Sequence, residues 1–207
     1  MRITQPVSNI YKLEVPFDDI YTSVFVLKFG ERYAIVDAAT TDFDVDRYIV
    51  PALAELGLSA RAPEALLLTH RHGDHAGGAK RLSEIFPGMP VYSSEGCRDV
   101  PTRTLCDGDV LFDLIEVVML PGHTDTSVGF LDRRTDTLLS GDCLQQRGVS
   151  RYTNGVKDRE AYLRSIARLR TMRLSRILAS HEYVPLGSTA EGEAAVRAYL
   201  DECERDA

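Results

Sequence analysis

Histidine is the commonest metal ligand among the side chains. This chain places all five of its histidines, His70, His72, His75, His123 and His181, in a few short patches. Three fall within Thr69-His70-Arg71-His72-Gly73-Asp74-His75, where Asp74 adds a carboxylate, and Asp142 lies between His123 and His181. Clustered imidazole nitrogens and carboxylate oxygens point to a transition-metal site, and they suit Zn, Mn or Fe rather than Ca or Cu(I). Seven such donors are too many for one tetrahedral ion and suit two. Two divalent ions close together lower the pKa of a bound water towards roughly 7, which yields a hydroxide nucleophile at neutral pH, and polarise a carbonyl or phosphoryl oxygen.

Such a site needs rigid elements behind it. His70 follows Leu66-Leu67-Leu68-Thr69, and His123 follows Leu120-Pro121-Gly122. Asp142 follows Leu138-Leu139-Ser140-Gly141, and His181 follows Ile177-Leu178-Ala179-Ser180. Each lies just past the carboxyl end of a predicted strand, where a sheet holds side chains from distant positions on a common rim. Apolar patterning predicts a hairpin of strands 22–29 and 33–37 around Gly30-Glu31, and a buried strand at 65–68. Further strands are predicted at 91–92, 115–120, 128–131, 137–139 and 176–179. Helical spacing covers 44–57, interrupted at Pro51, then 76–86 up to Pro87-Gly88, and 158–172. Ser188-Thr189-Ala190-Glu191 reads as a capping box that opens a last helix.

The 207 residues carry 24 Lys and Arg against 31 Asp and Glu, a net charge of −7. No basic field is present to hold polyphosphate, so nucleic acid is excluded as a partner. No apolar run approaches the ~18 residues of a membrane span, and no apolar stretch of a signal peptide follows Met1. The four cysteines show no CxxC spacing, which fits free thiols in a reducing cytoplasm. Cys143, next to Asp142, reads as a small buried hydrophobe. With no linker or repeat, one domain spanning 1–207 is expected.

The stretch His70-Arg71-His72-Gly73-Asp74-His75, with Gly122-His123-Thr124, Gly141-Asp142 and Ser180-His181 following in order, resembles the motif set of the metallo-β-lactamase-fold hydrolases. Ile35-Val36-Asp37 resembles the early strand of that family that ends in an aspartate. The resemblance implies an α/β fold, a four-layer αββα sandwich of two mixed β-sheets flanked by helices, with the metals at one edge. It makes His70, His72 and His123 ligands of a first ion, and Asp74, His75 and His181 ligands of a second. Asp142 then bridges the two, Asp74 also orients the nucleophile, and Asp37 supports the ligand loop by hydrogen bonding rather than ligating. Two divalent ions are implied, Zn first, with Mn or Fe as alternatives.

Retention of both His75 and Asp142 moves the resemblance away from the common β-lactamases towards the glyoxalase II-like and lactonase-like branch. Ser180-His181-Glu182 and Asp125-Thr126 depart from that branch's usual Gly-His-Gly and Pro-Gly. The chain ends soon after His181, so the helical domain that binds glutathione in glyoxalase II is expected to be absent. The expected activity is dinuclear hydrolysis of a small thioester, lactone or ester by a metal-bridging hydroxide. The alternatives are a mononuclear iron persulfide dioxygenase and, further off, a phosphodiesterase. The expected substrate is a small anionic or carbonyl-containing molecule. Tyr21 and the polar segment 145–157, with Arg151, Tyr152, Asn154 and Lys157, are the candidate contacts to it. The expected location is cytoplasmic without membrane attachment, with room left for a homodimer.

Overall fold

Apolar residues recurring along the first forty positions fold into antiparallel strands, and a computed structural model describes residues 1–153 and 155–207. The chain divides into two compact units, Met1–Thr104 and Leu105–Ala207.

In the first unit, β1 (Arg2–Val7), β2 (Ile10–Phe17), β3 (Ile20–Phe29) and β4 (Arg32–Val36) form an antiparallel meander. β5 (Leu66–Leu67), β6 (Val91–Ser93) and β7 (Arg103–Thr104) extend it in parallel to a seven-stranded mixed sheet in sequence order. The predicted hairpin is present, in the register Phe25↔Val36 to Phe29↔Arg32, and Gly30 at φ 69° makes its turn. The β1–β2 hairpin was not anticipated, because polar Gln5, Lys12 and Glu14 dilute the alternation there.

The expected helix at 44–57 is three pieces. α1 (Asp42–Asp44) starts from Thr41 in a reciprocal capping box with Asp44, Val45–Ile49 forms a π-helical turn, and α2 (Val50–Glu55) follows. Pro51 has no amide hydrogen and sits in the first turn of α2, where that donor is not needed. The adjustment falls just before it, where the Val50 N–H reaches back to Val45 O. Leu13, Val15, Val24, Val26, Ile35 and Leu66 pack with Val45, Ile49, Leu53 and Leu82 in one core.

The predicted helix at 76–86 is the single turn α3 (Gly73–Ala76) followed by α4 (Ala79–Ile85). Gly77 lies between them against the backbone of the 38–41 turn. A Cβ at Gly77 would stand 1.9 Å from Thr40 O and 2.5 Å from Gly73 O. Backbone oxygens cannot step aside as a flexible side chain can, so Gly77→Ala is expected to destabilise by about 1–3 kcal/mol. That lowers the melting temperature by roughly 2–4 °C per kcal/mol in a chain of this size. A thermal unfolding curve identical to that of the wild type would refute the close approach.

The second unit has a six-stranded mixed sheet of order β15-β14-β11-β10-β9-β8. Its strands are β8 (Val110–Leu111), β9 (Ile115–Met119), β10 (Val128–Asp132), β11 (Thr137–Gly141), β14 (Arg176–Ala179) and β15 (Thr189–Glu191). β11 and β14 pair in parallel. A separate small hairpin, β12 (Gly148–Val149) with β13 (Tyr152–Thr153), stands in the polar segment 145–157.

α5 (Arg159–Arg170) is capped by Asp158, whose side chain accepts from the Ala161 N–H. α6 (Glu193–Arg205) does not begin at the predicted capping box. Thr189–Glu191 is instead strand β15, paired to β14 with Ala190 turned inward, so the sheet ladder engages this backbone. The Ser188 hydroxyl bonds Glu182 Oε2 at 3.0 Å, and Gly192 at φ 85° makes the left-handed turn into the helix. Among the described residues, no helix is long and apolar enough to cross a membrane.

Candidate metal centre

The ligand loop of the first unit hangs from β5. His70 and His72 lie on the extended run after that strand, and α3 then curls Asp74 and His75 round. The buried Asp37 carboxylate, just past β4 at φ 62°, organises this loop. Its Oδ1 accepts the Thr69 N–H at 2.8 Å, and the Thr69 hydroxyl lies 2.9 Å from Oδ2. His75 Nδ1 also lies 2.8 Å from Asp37 Oδ2.

These contacts decide tautomers. An ionised carboxylate only accepts, so His75 carries its proton on Nδ1 and turns the Nε2 lone pair outward. Thr69 has one hydroxyl proton and gives it to Asp37, so it can only accept from His70 Nδ1, 3.1 Å away. His70 therefore also presents Nε2. One buried aspartate thus sets two imidazoles, one directly and one through a threonine. His70 Nε2 lies 3.0 Å from His72 Nδ1, near enough for both to ligate one ion at ~2.0–2.1 Å each. Asp74 Oδ2 lies 3.2 Å from His75 Nε2.

The second unit carries three ligand-type residues at three strand ends. β11 and β14 run side by side with Gly141 opposite Ala179, so Asp142 and His181 emerge next to each other. His181 Nε2 is 3.4 Å from Asp142 Oδ1, and His123 Nε2 is 3.8 Å from Asp142 Oδ2. His123 follows β9 through Leu120-Pro121-Gly122. Gly122 takes φ 140°, and a Cβ there would stand 2.6 Å from Tyr162 Cα. α5 packs against this turn, and its Ser165 hydroxyl donates to Pro121 O at 2.8 Å.

Two further contacts bear on His123. Its Nδ1 lies 3.0 Å from Gly155 O and 2.9 Å from Gln145 Nε2. These are alternatives, because Nδ1 either donates to the carbonyl or accepts from the amide. Only donation to the carbonyl leaves the Nε2 lone pair for an ion. The Gly155 N–H reaches Gln145 Oε1 at 2.6 Å.

The turn after Asp142 is pinned by phenols. The Tyr162 hydroxyl donates to Gln145 O at 2.6 Å and accepts the Gln145 N–H at 2.8 Å. The Tyr183 hydroxyl donates to Asp142 Oδ1 at 2.9 Å. Burial raises both phenols well above their ordinary pKa, so they remain neutral donors at working pH.

The donor chemistry fits borderline divalent ions. Imidazole nitrogens and carboxylate oxygens converge within each unit, and the far ring nitrogens of His70, His75 and His123 meet oxygens, as metal-ligating histidines require. Cys143 is buried at 1% exposure, as expected of a small hydrophobe.

The candidate substrate contacts are placed differently. Tyr21 lies on β3, its hydroxyl 2.9 Å from Lys12 Nζ and its ring 4.6 Å from that cation. Arg151 is exposed at the β12–β13 turn, 3.3 Å from the Tyr152 hydroxyl. Lys157 is exposed, and its N–H is bonded to Gly122 O. Asn154 lies outside the described residues.

Sequence reasoning missed Thr69, Gln145, Gly155, Tyr162 and Tyr183 as supports. Position offered a signal for two of them, since Thr69 immediately precedes His70 and Tyr183 follows His181 by two.

Residues 18–107 match the profile of the metallo-beta-lactamase superfamily. A hydroxyacylglutathione hydrolase of Francisella philomiragia subsp. philomiragia is 38% identical over 128 residues, covering 59% of this chain and 48% of that protein. The match thus spans about half the length of this curated relative. A subclass B3 metallo-beta-lactamase of Bradyrhizobium japonicum superposes with a TM-score of 0.76 at 18% identity, over 100% of this chain and 92% of its own. A protein solved in a di-iron-bound form, TTHA1623, gives 0.65 at 26% identity, over 86% and 93% of the two chains. The fold is therefore the expected α/β class, two mixed sheets with flanking helices.

Proposed function

We propose that this chain, whose residues 18–107 match the metallo-beta-lactamase superfamily, is a hydrolase dependent on two divalent metal ions. Its substrate is a small thioester, lactone or ester. As the motif resemblance implies, His70, His72 and His123 would hold one ion and Asp74, His75 and His181 the other, with Asp142 serving both. The observation that carries this reading is the Asp37–Thr69–His70 and Asp37–His75 hydrogen bonding, which prepares two imidazoles as ligands at once. A histidine kept only for packing needs no such arrangement.

When bound, the ions supply a water acidified towards neutrality and an electrophilic grip on the carbonyl oxygen. The protein supplies the rest. Asp37 and Thr69 hold the imidazoles in their ligating tautomer. Asp74, on the rigid turn α3, orients the attacking water and handles its proton. The hairpin 148–153, with Arg151 and Tyr152, together with Lys157, meets the anionic part of the substrate. The hydroxyacylglutathione hydrolase relative supports ester-type chemistry, and the di-iron-bound structure supports two metal positions.

Elemental analysis of purified protein is expected to approach two transition-metal ions per chain. The same preparation, assayed on thioester, lactone and phosphodiester substrates, is expected to hydrolyse one of the first two classes. A reproducible single ion after reconstitution with excess Zn, Mn or Fe would sink the dinuclear assignment. Turnover confined to phosphodiesters would sink the substrate class.

A further inference from the structure

The two oxygens of Asp142 have different neighbours. Oδ2 faces His123 Nε2 at 3.8 Å, whereas Oδ1 faces His181 Nε2 at 3.4 Å and receives the Tyr183 hydroxyl at 2.9 Å. Tyr183 also meets His181 directly. The rings stand edge to face, with centroids 5.9 Å apart and planes at 88°, and the Tyr183 N–H bonds His181 O at 3.1 Å. A single buried residue therefore touches both ligand-type side chains on one side of the centre. Its hydroxyl limits rotation of the Asp142 carboxylate, and its ring limits rotation of the His181 imidazole.

We propose that Tyr183 is a positioning residue for the ion held on the His181 side, and that it sets the affinity of that ion separately from the ion on the His123 side. The physical ground is orientation. A carboxylate or imidazole already turned to its ligating pose loses little rotational freedom when an ion arrives, and partners of this kind contribute roughly 10–100-fold to metal affinity. The hydrogen bond falls on the oxygen that faces His181, so its loss should act on that side first. The inference rests on the two-ion reading above.

The test is a zinc titration of the metal-free 207-residue chain against a chromogenic chelator, with a parallel cobalt(II) titration followed by visible absorption. Tyr183→Phe keeps the ring and removes the hydroxyl. It is expected to leave one ion at wild-type affinity and to weaken the second by about 10-fold or more, with an altered cobalt spectrum in the second step only. Tyr199→Phe is the control. Tyr199 is fully buried in the same unit, but its hydroxyl bonds Gly187 O at 3.1 Å, so its loss should leave both zinc affinities unchanged. Equal affinities in Tyr183→Phe and wild type would overturn the inference, as would equal weakening in both variants. If the wild-type chain itself bound no ion, the metallohydrolase reading would fall, and this inference with it.

Discussion

Asp142→Ala is expected to strip most of the metal from the protein and abolish nearly all hydrolysis. Asp142 has one oxygen towards His123 and the other towards His181, so it is the ligand-type side chain that both ion positions share in the proposed arrangement. Alanine removes the donor that both proposed ion positions would use, and with it the negative charge that offsets two cations. Loss of a supporting hydrogen-bond partner alone costs roughly 10–100-fold in affinity or activity, and loss of a shared ligand should exceed that. Metal content per chain should fall below one, and turnover on the best substrate should approach background. Asp142→Asn keeps the shape and can still accept from Tyr183, so it separates charge from packing. It should also lose the second ion while its near-ultraviolet dichroism stays that of the wild type. Two tightly held ions in either variant would rule out the shared role.

Asp74→Asn should behave differently. Asp74 lies on α3 with its Oδ2 3.2 Å from His75 Nε2 and its side chain 15% exposed, at the solvent-facing side of the ligand loop. The ion assigned to His70, His72 and His123 does not depend on it. That ion should remain, while turnover falls by about 10²-fold or more, the scale of a positioned acid–base group. The loss should appear in kcat more than in KM, because the proposed substrate contacts lie elsewhere. Full turnover with Asn at position 74 would remove the proposed role in orienting the water.

The candidate ligands were legible in the sequence because their spacing is local. Extended His70-Arg71-His72 followed by one helical turn places four donors within six residues, and a short apolar run precedes each remaining one. The supports were not legible, because long-range folding creates them. Tyr162 reaches Gln145 only once α5 lies across the turn after β11, and Gly155 meets His123 from 32 positions away. Asp37 could be singled out because it ends a strand just as the candidate ligands do. The capping box at 188–191 failed for the opposite reason. A local pattern was read where the β14 edge offered that backbone a stronger partner. The π-helical turn before Pro51 likewise depends on the backbone's choice between hydrogen-bond registers, which residue types alone do not encode.

The way the 148–153 hairpin is fastened has a consequence for evolvability. Its return to the fold is tied to the centre by the N–H and C=O of Gly155, on Gln145 and His123, and by the Lys157 N–H on Gly122. All three ties use main-chain atoms, so they tolerate sequence drift at neighbouring side chains. The tip, with Ser150 at φ 50° and Arg151 exposed, carries none of them. On the proposed reading, in which this hairpin meets the substrate, substitutions there retune which substrates are gripped while the histidine behind keeps its contacts. Selection for a new substrate in this lineage would therefore find its cheapest steps at positions 150–152, and a directed library confined to them should yield altered preference far more often than lost metal.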